Sequence, residues 1–224
     1  MKVVIFSGAG VSAESNIYTF RDIKNGLWYN HNVDEVATLA GWKKNRELVL
    51  EFHNRIRADL VDKVPNEAHH TIASWEKEHE VTVITQNVDS LHEMAGSTNV
   101  LHLHGELNKS RSTYDDEIYD IDGITLNIGE KCPNGSQLRP HTVLFDEYPY
   151  NIGESANALA EADVLIIVGT SLRITYTLPL IYESINDNTK VYYIDPQPNT
   201  ELSGMIKVNY IKEKASIGIK KVKI

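Results

Sequence analysis

The stretch MKVVIFSGAGVSAESNIYTFR, residues 1 to 21, decides the fold. Val3, Val4, Ile5 and Phe6 make an apolar, β-rich run of the length of a strand covered on both faces. Gly8-Ala9-Gly10-Val11-Ser12-Ala13 follows at once and fits the G-x-G-x-x-G/A spacing of a dinucleotide-binding turn. In such a turn the first glycine permits the bend, the second lets a pyrophosphate near the backbone, and a small third residue lets helix pack on strand. Free amides at the start of the helix then face phosphate. An ordinary strand-to-helix turn satisfies the same spacing, but a strand before and a helix after favour the nucleotide.

With 224 residues and 42% hydrophobic content, the chain can bury a full core as one α/β domain with a modest insertion, or as two unequal lobes. A formal charge of −9 argues against a general nucleic-acid binder and suits a cationic partner such as a lysine-rich peptide, although most of those charges simply solubilise the surface. Cys132 is the only cysteine, which excludes an intrachain disulfide and a four-cysteine zinc site and fits a reducing compartment. No apolar run reaches membrane-spanning length, and the first is too short, broken by Gly8 and Gly10, for a signal peptide. A cytoplasmic location without a membrane partner is expected.

Outward from the opening turn, residues 22–31 carry Gly26, Trp28 and Tyr29 without a period and read as a loop over that turn. Asp34 to Asp62 is helical, with Leu48, Phe52, Ile56 and Leu60 recurring on one face. After Pro65, a helix from about Asn66 to His79 turns Ala68, Ile72 and Trp75 inward and leads into the strand Val81 to Thr85. Gln86, Asn87 and Asp89 then stand at the carboxyl end of a strand, where open α/β sheets hold ligands. They suit ribose hydroxyls or an amide, and Asp89 or Ser90 equally suits a helix cap. A third strand, Val100 to Leu103, delivers His104 to the same edge, where an imidazole titrating near neutrality suits a general base. A helix from about Gly153 to Glu161 precedes the strand Val164 to Val168, which ends in Gly169-Thr170-Ser171. A helix near Leu178 to Ile185, a strand Val191 to Ile194 followed by Asp195, and a strand Val208 to Ile211 close the chain. The expected fold class is α/β: a Rossmann-like, mostly parallel sheet with helices on both faces and a small inserted lobe.

These segments together resemble the sirtuin family of NAD-dependent protein deacylases. The resemblance rests on Gly8 to Ser15 with Ile17, Thr19, Phe20 and Arg21; on Thr85 to His92 with Ala95-Gly96; and on His104-Gly105, Leu138 to Glu147 and Gly169 to Leu172. It covers almost the whole chain in the right order. It implies a single catalytic domain, with a core of about 1–30, 64–105 and 139–224, a helical insert of about 31–63 and a small lobe of about 106–138. It further implies that Gly8, Ala9, Gly10, Ser12 and Ala13 hold the pyrophosphate turn, and that Phe20 and Arg21 belong to the cofactor loop. Ile17, Gln86, Asn87 and Asp89 would border the nicotinamide and its ribose, and Gly169, Thr170 and Ser171 would form a second nucleotide loop. Asp195 stands where the family usually has asparagine for the adenosine ribose, and Ala215 matches the adenine contact. His104 would be the base, with Asn87 and Asp89 beside it in the catalytic set, and Val143, Phe145, Asp146 and Glu147 would pair with an acylated-lysine peptide as an added strand.

The departures from the family are specific. Its two zinc-binding cysteine pairs correspond to Ser112 and Asp115 and to Cys132 with the Asn134 to Ser136 region, so zinc is expected to be absent. The lobe then needs an apolar cluster of Tyr114, Tyr119, Ile121, Ile124 and Leu126, or docking on the main domain. His102 with His104 lacks an evident third ligand, so no metal residue is expected. Asn16, Tyr18 and Asp146 replace the family's usual glycine, proline and glycine. Where family members that remove acidic acyl groups carry tyrosine and arginine, this chain has His53 and Ile56; Arg55 or Arg57 substitutes by reach or is solvated. Three activities remain in view: an NAD-dependent lysine deacylase, an NAD hydrolase or ADP-ribosyltransferase using the same pocket, and a non-catalytic NAD or ADP-ribose binding module.

Overall fold

The computed structural model describes residues 1–17 and 32–224, so Tyr18, Phe20, Arg21 and the loop bearing Gly26, Trp28 and Tyr29 lie outside the described residues. Among the described residues, a six-stranded sheet comprises β1 (Lys2–Ser7), β2 (Glu80–Thr85), β3 (Val100–His102), β7 (Val164–Val168), β8 (Lys190–Ile194) and β9 (Val208–Ile211). Its order is β3-β2-β1-β7-β8-β9 and every pairing in it is parallel. Counted along the chain this is the 3-2-1-4-5-6 arrangement of a doubly wound sheet, whose direction reverses between β1 and β7.

The apolar runs form strands because they alternate between two covered faces. Val3 and Ile5 join Val83, Ile166 and Ile194 on one face, covered by Ala68 and Ile72 of α5 (Glu67–Ser74) and Ile219. Val4 and Phe6 join Ile84, Leu165, Ile167 and Tyr193 on the other, covered by Leu159 of α7 (Ile152–Ala160) and Ile181 of α8 (Thr177–Ser184).

The segment expected as one helical stretch is three helices. These are α2 (Val33–Val36), α3 (Leu39–Lys44) and α4 (Arg46–Leu60). Thr38 Oγ1 accepts from the Gly41 amide and Asn45 Oδ1 from the Leu48 amide, so a fresh cap restarts the helix at each break. The deepest face of α4 carries Val49, Leu50, Phe52, His53 and Arg57, offset from the expected stripe, whose Leu48, Ile56 and Leu60 are half-buried.

The small lobe is a three-stranded antiparallel sheet of β4 (Gly105–Ser112), β5 (Ile118–Asp120) and β6 (Leu138–Thr142), in the order β5-β4-β6. Of the five residues expected to form its cluster, Leu126 is the buried anchor, whereas Tyr114 is 80% exposed and Ile124 47%. The lobe is held by docking: Leu126 and Leu144 pack on Trp42, Val49 and Leu50. Asn54 brackets the Leu126 backbone, accepting from its amide at 2.9 Å and donating to its carbonyl at 3.1 Å. Arg57, far from being solvated, donates to the carbonyls of Ile124 at 2.9 Å and Leu107 at 3.1 Å, while Arg55 is exposed and paired with Glu51. No helix among the described residues is long and apolar enough to cross a membrane.

Candidate functional site

Ligands of a doubly wound sheet sit outside the carboxyl ends of its strands where the winding reverses. That point lies between the loops after β1 and β7. The Gly10 amide donates to the Gly169 carbonyl at 2.7 Å, and the Gly8 amide to Val168 at 3.2 Å. A Cβ on Gly10 would lie 2.7 Å from the Gly169 carbonyl oxygen, and one on Gly169, whose φ is +63°, would lie 2.1 Å from the Val11 nitrogen. The second glycine of the turn is therefore also required by loop-on-loop contact, a demand separate from the approach of a pyrophosphate. Ala13 is exposed and so does not pack helix on strand; Val11 and Ser12 are the buried residues of α1 (Ala9–Ser12). Gln86 reaches across and donates to Thr170 Oγ1 at 2.8 Å, pinning the ends of β2 and β7 together.

Ser12 is the hub between α1 and the loop after β2. Its hydroxyl accepts from Asn87 Nδ2 at 3.1 Å and donates to Asp89 Oδ2 at 3.1 Å, all three side chains being buried. Asp89 Oδ1 also accepts from the Leu91 amide at 3.1 Å, so of the two expected caps Asp89 serves α6 (Leu91–Met94) and Ser90 does not. Burial raises the Asp89 carboxyl above its ordinary value despite these bonds. Below the hub, the Asn87 amide donates to Thr85 Oγ1 at 3.1 Å. His102 Nδ1 donates to the Asn87 carbonyl at 2.9 Å and its Nε2 meets Glu93 at 2.7 Å. Glu106 also gathers at His102, and Lys109 sits 3.0 Å from Glu106, so His102 does have carboxylate neighbours but shares none of them with His104.

His104 follows β3 at the same edge. Its Nδ1 lies 2.8 Å from the Gln86 carbonyl, an acceptor only, so Nδ1 carries the proton and Nε2 the lone pair. Burial lowers the imidazole below its ordinary value and keeps it neutral at pH 7. Tyr176 Oη lies 2.6 Å from Nε2. Burial raises the phenol, which stays protonated and donates to the ring. Sequence reasoning missed Tyr176; the one available signal was a tyrosine just before a helix, on the loop that leaves Gly169-Thr170-Ser171.

The remaining expected residues are distributed around this edge. Thr170 is buried and Ser171 half-buried beside Gly169. Asp195, buried at the end of β8, accepts from the Gln197 amide at 2.8 Å. Ala215 opens α9 (Ala215–Gly218), where Glu14 accepts from the Ser216 amide at 2.9 Å and draws that helix to the first turn. Ile17 is half-buried, and Asn16 holds φ +57°, the left-handed conformation for which glycine is the usual residue.

The Sir2 family model matches residues 8–176, which run from Gly8 through His104 to Tyr176. The chain belongs to the Sir2 family. It is 46% identical over 195 residues to the NAD-dependent protein deacylase of Helicobacter pylori, covering 87% of this chain and 84% of that protein. It is 40% identical over 228 residues to the NAD-dependent protein deacylase of Bacteroides thetaiotaomicron, covering 99% and 96%. The crystal structure of a Sir2 homolog–NAD complex superposes with a TM-score of 0.84 at 33% identity, covering 98% of this chain and 86% of that one.

Within this Sir2 chain the segment expected to pair with a peptide leaves the sheet: β6 ends at Thr142, and the Glu147 amide donates to the Leu144 carbonyl at 2.9 Å, closing a turn over residues 144–147. The Val143 amide donates to the His104 carbonyl and the Phe145 amide to Ala37, each at 2.9 Å. Phe145 is exposed, and Asp146 Oδ1 accepts from the Leu39 amide at 2.7 Å, capping α3. Glu147 binds Arg111 at 2.6 Å and Arg139 at 2.8 Å, so its carboxylate is engaged within the fold. Burial alone would raise that carboxyl, but Arg139, the Leu144 amide and Arg111 outweigh it and hold it low.

The positions of the family's zinc cysteines come together here as a hydrogen-bonded knot. Cys132 Sγ lies 3.6 Å from Ser112 Oγ and 2.6 Å from Asn134 Oδ1. Asn134 Nδ2 donates to Asp115 at 2.6 Å, and Ser112 Oγ accepts from the amides of Tyr114 at 3.1 Å and Asp115 at 3.4 Å. One thiol, one carboxylate and acceptors already engaged by amides do not fit a zinc ion.

Proposed function

We infer that this chain is an NAD-dependent protein-lysine deacylase, transferring an acyl group from lysine to ADP-ribose with release of nicotinamide. The observation that carries the reading is His104: a neutral imidazole at the sheet's ligand edge, tautomer fixed by Gln86, inside a Sir2 match. The turn at Gly8, Ala9 and Gly10 and the loop at Gly169, Thr170 and Ser171 would hold the pyrophosphate; since the Gly8 and Gly10 amides serve the fold, Ala9 and the hydroxyls are the better donors. Ser12, Asn87 and Asp89 would face the nicotinamide ribose, Asp195 the adenosine ribose and Ala215 the adenine, with Ile17, Phe20 and Arg21 closing the cofactor side. Bound NAD supplies the chemistry of an anomeric carbon that loses nicotinamide and takes the acyl oxygen. His104 Nε2 accepts the proton of a ribose hydroxyl, and the enclosed edge keeps water from the reactive centre.

Val143 and the backbone of Phe145, Asp146 and Glu147 would line the peptide. A chain of net charge −9 suits a lysine-rich substrate rather than nucleic acid. The lobe works without zinc in this reading, through the knot around Ser112 and Cys132, and a reduced, buried Cys132 suits the cytoplasm.

Nicotinamide release measured with and without acetylated, succinylated and long-chain acyl peptides tests the reading. Release that requires acyl peptide is the expected result. Release without peptide would instead make the chain an NAD hydrolase or ADP-ribosyltransferase, and NAD binding without release a non-catalytic module.

A further inference from the structure

The base of this site is already occupied. Nδ1 of His104 is sealed by the Gln86 carbonyl, leaving Nε2 with a single lone pair, and Tyr176 donates to it at 2.6 Å. One lone pair accepts one strong hydrogen bond. A ribose hydroxyl that must give its proton to Nε2 therefore competes with the phenol.

We propose that Tyr176 is a positioning residue for His104: its phenol caps Nε2 in the free protein, fixes the ring at the sheet edge, and yields the lone pair to the sugar hydroxyl when NAD binds. The proposal rests on the reading of His104 as the base. Tyr176 is built to yield. Its backbone is anchored, since its carbonyl accepts from the Leu180 amide at 3.0 Å and Thr177 next to it is buried with its hydroxyl on Ile174 at 2.7 Å. Its ring is only half-buried, the two aromatic planes stand at 89° with centroids 6.0 Å apart, and Arg173, Ile174 and Thr175 before it are exposed. A turn about the side-chain torsions moves the hydroxyl away without moving α8.

The charged groups around His104 are committed elsewhere. Asp89 after β2 binds Ser12 and Leu91, His102 on β3 binds Glu93 and Asn87, Glu106 on β4 binds Lys109, and Glu147 in the turn binds Arg111 and Arg139. Among the described residues no charged group shifts the ring: burial lowers it and the Gln86 carbonyl opposes burial. A donor to the neutral imidazole stabilises that form, so removing the donor raises the ring's affinity for a proton.

The test is Tyr176→Phe in the full chain, which keeps the ring and deletes the donor. By NMR of the free protein, with the resonance assigned against His104→Asn, the His104 midpoint should rise by about half a unit to one unit. The Kd for NAD by calorimetry and the KM for NAD should fall about three- to tenfold, the usual net worth of one hydrogen bond, with kcat within about twofold. The acid limb of kcat/KM should move up with the NMR midpoint. Tyr176→Gln restores a donor and should return the midpoint toward the wild-type value; it also serves should the Phe variant fold poorly. An unchanged midpoint and unchanged NAD affinity would make Tyr176 a bystander and overturn the proposal. A loss of kcat at constant KM would overturn it too, because the phenol would then be relaying the proton rather than standing aside. If His104→Ala kept turnover, the base reading would fall, while the NMR midpoint and the calorimetric Kd would still decide the cap.

Discussion

In the large sheet, Val3, Ile5, Ile166 and their neighbours sit on alternating faces under α5, α7 and α8, and apolar burial does the holding. In the small lobe, β4 and β6 are joined through Arg111, Arg139 and Glu147, Arg57 and Asn54 clasp carbonyls and amides, and the knot of Ser112, Cys132 and Asn134 closes the far end. Non-directional burial tolerates small changes of shape, whereas a buried polar network fails when one member is removed and its partner is left uncompensated. The proposed catalytic edge lies where the two regions meet, since His104 ends the segment after β3 and Gly105 opens β4.

The largest expected effect breaks the lobe. Arg139→Ala leaves the half-buried Glu147 paired with Arg111 alone and should cost about 2–3 kcal/mol, against about 0.5–1.5 for Ile166→Val in the sheet core. Denaturant unfolding of both variants checks the contrast, and equal losses would erase it.

A smaller effect comes with acid. Burial lowers His53, His69 and His141 to about 4 each. A depressed histidine binds its proton first in the unfolded chain, so stability is lost as pH falls from about 6.5 toward 4. At pH 5.5 each ring should cost about 1.4 kcal/mol relative to pH 7.5. His102 opposes this: burial lowers it, but the Glu93 hydrogen bond and charge outweigh burial and raise it. Its contribution is present below about pH 6.5 and is lost as pH rises through its folded value. Denaturant melts at the two pH values should differ accordingly, and a flat profile would contradict the burial of these rings.

The smallest effect sharpens the comparison at the knot. Ser112→Ala removes the acceptor of two amides and should cost about 1 kcal/mol, while a chelator should leave the melting temperature of the unaltered protein unchanged. A chelator-induced drop would put a metal back in the lobe.

How legible each region was in the sequence follows the same division. The strands β1, β2, β7, β8 and β9 were readable because apolar runs and glycine turns announce a buried parallel sheet. The placement of Gly8, Asn87, Asp89 and His104 at one sheet edge was readable because each follows an apolar strand in the sequence. The break at Asn45 was hidden because its cap sits inside a continuous helical period. The roles of Arg57, Asp146 and Glu147 were hidden because each side chain serves a partner distant in sequence: Ile124, Leu39 and Arg111. Tyr176 was hidden for that reason as well, lying 72 positions from the imidazole it touches.

The most direct test of the account is His104→Ala, with NAD binding followed by calorimetry and acyl-peptide-dependent nicotinamide release followed in parallel. Loss of a general base should cut release by about a hundredfold or more while NAD affinity stays within a few-fold of the unaltered protein. Undiminished release, or loss of NAD binding with the fold intact, would contradict it.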